Sequence, residues 1–138
     1  MRELYYTGVD GGMTGAIAIL TNPPGLFDCL TLVDIPMLAG KSKKPWYNAP
    51  EIHRLFRVKP MIVGLEESYR FPKLCKGIGI LWACASLSPK VKEVKMILPR
   101  TWQKHYGIKK ADKNLSLEIA RKLFPGQQKM LMRKKDHN

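Results

Sequence analysis

Apolar and polar positions along the chain change period several times, and those changes predict an order of elements. Residues 4–9, LYYTGV, are rich in β-formers and stop at Asp10. Glycines follow at Gly11, Gly12 and Gly15, and AIAIL (16–20) resumes the strand pattern, so the two runs predict a hairpin. NPPG (22–25) breaks the chain, and LTLVDIP (30–36) predicts a third strand. A polar loop, AGKSKKPWYNAP, comes next. Asn48 is placed to cap a helix running through EIHRLFR, with Pro50 in its first turn. MIVGLE (61–66) is a continuous apolar run ending in acid, the mark of a strand flanked on both faces.

Beyond that run the period lengthens. Leu74, Ile78, Leu81, Trp82 and Ala85 recur at helical spacing and predict a helix whose apolar stripe, Trp82 included, faces a core. EVKMIL (93–98) predicts a fifth strand, halted by Pro99. RTWQKHY (100–106) and DKNLSLEIARKLF (112–124) predict two more helices, the second closed by Pro125-Gly126, and Trp102 is expected to pack as core. Three leading antiparallel strands followed by α-β-α-β-α predict an α/β fold: a mixed five-stranded sheet with helices on both faces.

At 138 residues the chain predicts one domain, 1–138, with one core. No apolar run approaches the roughly 18 residues a membrane span needs, and the charged start does not read as a signal peptide. Cys29, Cys75 and Cys84 are odd in number and show no CxxC spacing, which predicts reduced thiols and a cytoplasmic setting. His53, His105 and His137 fit no zinc spacing. Charge changes the picture most. Lys plus Arg number 24 against 11 acids, a formal net charge of +13, and a domain this basic usually meets a polyanion, most often nucleic acid.

The candidate chemistry lies in two acids, Asp10 and Glu66, each at the C-terminal end of an apolar strand. In mixed α/β sheets functional groups gather at the carboxyl edge of the central strands. Two acids brought together there repel unless a cation sits between them, and hard divalent cations prefer oxygen ligands. On a protein that meets phosphates, that pairing points to metal-assisted phosphodiester hydrolysis, with the glycines after Asp10 leaving the strand end unobstructed. An Asp before Gly-Gly is also an ordinary turn residue, and both readings stand. Side chains alternate along a strand, so only one of Glu66 and Glu67 can face Asp10; Glu66 is chosen.

The ordered set GVDGGMTGAIAIL, VGLEE, Phe71-Pro72, KGIGILWA, LPRTWQKHYGI, Lys113 at a helix start, ARKLFP and KKDH resembles the RuvC-type Holliday junction resolvases of the RNase H-like superfamily, small phage or prophage members in particular. The resemblance covers essentially the whole chain. It implies a metal-dependent endonuclease holding two magnesium ions, or manganese, on Asp10, Glu66 and Asp136, with Lys113 near the active site. It also implies branched DNA such as a four-way junction as partner, a homodimer paired through the helix containing Trp82, no small-molecule cofactor, and the cytoplasm of a bacterial or phage-infected cell. Members of that family continue past KDH with a helix carrying another acid, so the expectation here is a truncated final helix; Asp136 as a solvated terminal charge is the competing reading.

Tyr69, Arg70, Phe71, Lys73 and Lys76 crowd the segment after Glu66, a basic stretch with interleaved aromatics that fits backbone contact and base stacking. In the resembled family that loop inserts an aromatic near the junction centre, a place matched by Phe71 or Tyr69. Phe71 packed in the core is the plainer alternative. Lys104, Lys109, Lys110 and Lys113 form a second basic group, readable as DNA contacts or as a solvated helix face. Two other functions compete: a non-catalytic nucleic-acid-binding domain of the same fold, and a nucleotide-binding fragment of the actin/sugar-kinase type. Met13 interrupts the phosphate loop that the second would need, and its two domains exceed this length.

Overall fold

The computed structural model describes residues 3–21, 30–38, 45–109 and 113–124. Its elements in chain order are β1 (Tyr5–Val9), β2 (Ala16–Thr21), β3 (Leu30–Asp34), α1 (Ala49–Leu55), β4 (Met61–Glu66), α2 (Pro72–Ser86), β5 (Val91–Ile97), α3 (Pro99–His105) and α4 (Lys113–Leu123). The strands form one five-stranded sheet in the order β3-β2-β1-β4-β5. β1, β2 and β3 pair antiparallel, whereas β4 joins β1 in parallel and β5 joins β4 in parallel. The sheet is therefore mixed, as the element order predicts.

Local chemistry accounts for the boundaries. The Asn48 side chain accepts a hydrogen bond from the Glu51 amide at 3.4 Å and caps α1, whose first turn holds Pro50. α2 and α3 both begin on a proline, Pro72 and Pro99, each preceded by an extended residue. Proline tolerates the first helical turn because that N–H lacks a helical partner in any case. Pro99 thus opens a helix as well as ending a strand, and α3 starts one residue before the apolar pattern places it. β5 starts two residues earlier than predicted, at Val91, which pairs with Met61 beside a register irregularity.

The core occupies one side of the sheet. Val9, Ile17, Met61, Val63 and Leu65 alternate along their strands and are buried with Ile52 of α1, Phe56, and Ile78, Leu81 and Ala85 of α2. The unbroken apolar run of β4 predicts burial on both faces, yet only alternate residues are fully buried; Ile62, Gly64 and Glu66 are half-buried on the opposite face. The stripe of α2 also shifts. Ile78, Leu81 and Ala85 are buried together with Gly77 and Cys84, while Trp82 is 49% exposed. At 100° per residue Trp82 lies on one margin of that stripe and Gly77 and Cys84 on the other, and Tyr47 and α1 meet the second margin.

Gly77 makes room for a tyrosine. Residues 37 and 47 form an isolated antiparallel bridge that carries Tyr47 into the core. There its hydroxyl donates to the Gly11 carbonyl at 2.8 Å. A Cβ on Gly77 would overlap the Tyr47 ring and hydroxyl, whereas one on Gly79, two residues on, would meet nothing within 4 Å. The two glycines should therefore respond oppositely to alanine. Gly79→Ala is expected to stabilise by about 0.5–1 kcal/mol through helix propensity, and Gly77→Ala to destabilise by about 1–3 kcal/mol through overpacking, both read by urea unfolding. Shifts of the same sign would show that the tyrosine ring does not fill that space.

Candidate active site

Asp10 leaves β1 and Glu66 ends β4, and the parallel register makes them neighbours. Val9 pairs with Leu65, so the next residue on each strand lies on the same face, about 4.8 Å apart at the backbone by ordinary strand spacing. That face is opposite the core. Glu67 falls on the other side, lining a cleft of about 280 Å³ with Tyr69, Ile78, Gly79, Trp82 and Met96. Strand alternation thus separates the two adjacent acids, with Glu66 on the side of Asp10.

The loop after Asp10 is both turn and platform. The Asp10 amide donates to Ala16 at 3.0 Å, Gly15 donates to Gly12 at 2.8 Å, and Asp10 Oδ1 accepts from the Gly12 amide at 3.3 Å. The turn reading of Asp10 is realised, and its carboxylate is exposed all the same. Gly15 is required by close approach, since a Cβ there would overlap the Asp10 carbonyl. Tyr47 holds the loop from below through Gly11. Its own hydroxyl pKa is raised, by burial first and by the charge of Asp10 second.

Glu66 is half-buried, and its side-chain hydrogen-bond partner comes from α3. The Trp102 indole N–H donates to Glu66 Oε2 at 2.7 Å. This corrects the expectation that Trp102 packs simply as core: it is half-exposed and spends its only polar group on the acid. An enclosed indole N–H needs an acceptor, and a tryptophan among the polar residues of RTWQKHY was the available signal. Tyr47 carried no comparable signal, because its partner is a backbone carbonyl. Burial raises the Glu66 carboxyl above its ordinary 4.5; the Trp102 hydrogen bond opposes that rise and the charge of Asp10 adds to it.

The remaining candidates are placed as follows. Tyr69 and Phe71 are 74% and 64% exposed, so Phe71 does not pack in the core; Arg70, Lys73 and Lys76 stand exposed beside them. Lys104 and Lys109 border a groove of about 420 Å³ with Arg100, Gln103, Gly107 and Ile108. Lys110 and Asp136 lie outside the described residues, as does the side chain of Lys113, whose backbone opens α4. Asp34 stands at the same sheet edge but two strands from Asp10, about 10 Å by strand spacing. Among the described residues no group of three or more metal-ligating side chains gathers. The donor set is a pair of neighbouring carboxylates in mutual repulsion, which fits a hard divalent cation.

No family model matches the sequence, and no curated protein matches it. Solved structures do. The chain is similar to Thermus thermophilus RuvC in complex with a Holliday junction substrate, at 17% identity and a TM-score of 0.57, covering 91% of this chain and 81% of that one. It is similar also to a second Thermus thermophilus RuvC structure, at 17% identity and a TM-score of 0.55, covering 88% and 80%. The fold is RuvC-like: a mixed five-stranded α/β sheet with the two acids at the carboxyl edge of its parallel pair.

The raised Glu66 pKa has a stability consequence. The folded state binds that proton more tightly than the unfolded chain, so the contribution is full below pH 4.5 and is lost as pH rises through the folded value. Glu66→Gln removes the loss. In chelator the variant is expected to melt above the wild type at neutral pH, with the margin vanishing as pH falls below 4.5. A lower melting temperature for the variant at neutral pH would show that Glu66 stabilises the fold instead.

Proposed function

We propose that the protein is a divalent-metal-dependent endonuclease that cleaves branched DNA, with four-way junctions as its substrate. One observation carries the reading: Asp10 and Glu66 converge on the open face of adjacent parallel strands in a strongly basic chain. The fold it shares with a RuvC bound to a Holliday junction supports the choice of substrate. Asp10 and Glu66 would hold the ion, magnesium by proposal with manganese as substitute. Bound there, it supplies Lewis-acid stabilisation of charge on a scissile phosphate. Asp136 as a further ligand that would allow a second ion, and Lys113 beside the phosphate, enter this reading from the sequence.

The chain's own groups divide the remaining work. Arg70, Lys73 and Lys76 meet phosphates next to the site, and the exposed rings of Tyr69 and Phe71 stack on unpaired bases. Lys104 and Lys109, with Lys110 beyond them in sequence, extend the basic track along the groove at α3. The exposed Trp82 of α2 and Leu87 at its C-cap are the proposed homodimer contact, a two-fold arrangement that presents two sites to a symmetric substrate. A second reading, a junction-binding domain without catalysis, is favoured by there being only two gathered acids among the described residues.

Cleavage of a synthetic four-way junction in magnesium tests the choice. Asp10→Asn is expected to lower cleavage by more than about 100-fold, exceeding the usual loss for a residue that only supports a metal ligand. Junction binding should be equal or tighter, since a negative charge facing phosphate is gone. Binding without cleavage by the wild type would favour the second reading.

Salt dependence tests the proposed DNA contacts. The log–log slope of junction affinity should become shallower by about 0.9 for each phosphate that Lys73→Ala or Lys76→Ala leaves without its cation. An unchanged slope in both would remove those lysines from the interface.

A further inference from the structure

We propose that Trp102 is the positioning residue for Glu66, dividing the tasks of its two carboxylate oxygens: the indole N–H holds Oε2, and Oε1 is left to a divalent cation. The inference rests on the metal-dependent reading above. At 2.7 Å the bond is short, as expected for a donor facing an ionised carboxylate. Among the described residues Glu66 has no other side-chain hydrogen-bond partner, so this bond fixes a side chain with three rotatable torsions. Oε1 keeps all its lone pairs and Oε2 retains one.

The topology explains how the indole arrives. Ile97 at the end of β5 is the register partner of Glu66. Pro99 then opens α3 two residues later, and its first turn brings Trp102 over the strand end. Arg100, Gln103 and Lys104 lie on the other side of this short helix, along the basic groove. Neutrality is the second half of the argument. A lysine or arginine in the same place would orient Glu66 but also neutralise it, competing with the cation. Tryptophan is a donor without charge, so the carboxylate is aimed while its full negative charge stays available.

The test measures metal binding in the absence of DNA. The chain has three tryptophans, so fluorotryptophan labelling should give three fluorine resonances, with that of Trp102 assigned by Trp102→Phe. Added Mn²⁺ should broaden the Trp102 resonance first in the wild type and lose that preference in Glu66→Gln. By calorimetry, Trp102→Phe is expected to weaken Mn²⁺ binding about 10–100-fold, the usual loss when a ligand's hydrogen-bond partner is removed. Benzothienylalanine at position 102, which keeps the ring shape and replaces N–H by sulfur, should weaken it alike, with an unchanged melting temperature as the folding control. Wild-type affinity in that analogue would overturn the inference, assigning any loss in the phenylalanine variant to packing. Absence of Mn²⁺ uptake by the wild type would overturn the metal-dependent reading itself and this inference with it.

Discussion

Two carboxylates on neighbouring parallel strands repel one another, and much of this structure serves to keep them there. The β1–β4 register sets Asp10 beside Glu66, and neither can escape by rotating a strand, because Val9 and Leu65 one residue earlier are anchored in the core. Part of the repulsion is visible in the raised pKa of Glu66, although burial is its larger cause. A fold that maintains such a pair without a cation carries a stored cost, and binding an ion between the acids is the natural way to relieve it.

The sheet divides its faces between rigidity and chemistry. On one side α1 and α2 pack tightly over Val9, Met61, Val63 and Leu65. On the other, Asp10 is exposed and Glu66 half-buried, reached by a single indole from α3. Tyr47 links the two sides: its ring packs where Gly77 has no side chain, and its hydroxyl grips the backbone next to Asp10. The loop bearing Asp10 is thereby pinned from the core side while its carboxylate stays open to solvent.

Next to this pair the surface changes character. The chain leaves β4, turns through Ser68–Tyr69–Arg70 and enters α2 at Pro72, with Phe71 held extended just before the helix. That geometry keeps two aromatic rings out of the core, among Arg70, Lys73 and Lys76. Exposed rings among cations suit a partner that offers both flat faces and phosphates, which is the character of DNA with unpaired bases.

The strands were legible in the sequence because their apolar runs are short and bounded by Gly, Pro and acid, α1 because it has a capping asparagine with a proline in its first turn, and α2 because its apolar residues recur at helical spacing, whereas Pro99 was legible only as the end of β5. Asp10 and Glu66 were legible as strand-end acids, and alternation left room for only one of Glu66 and Glu67 beside Asp10 without itself selecting which. What the sequence alone could not convey was distance across the chain. That Trp102 reaches back to Glu66, 36 residues away, that Tyr47 likewise reaches back to Gly11, 36 residues away, and that Trp82 falls outside the buried stripe of its helix all follow from how elements dock. Periodicity specifies which face of an element is apolar; only the packed structure decides which margin of that face is covered by a neighbour, and which polar group on a neighbouring element is left for an N–H or O–H to find.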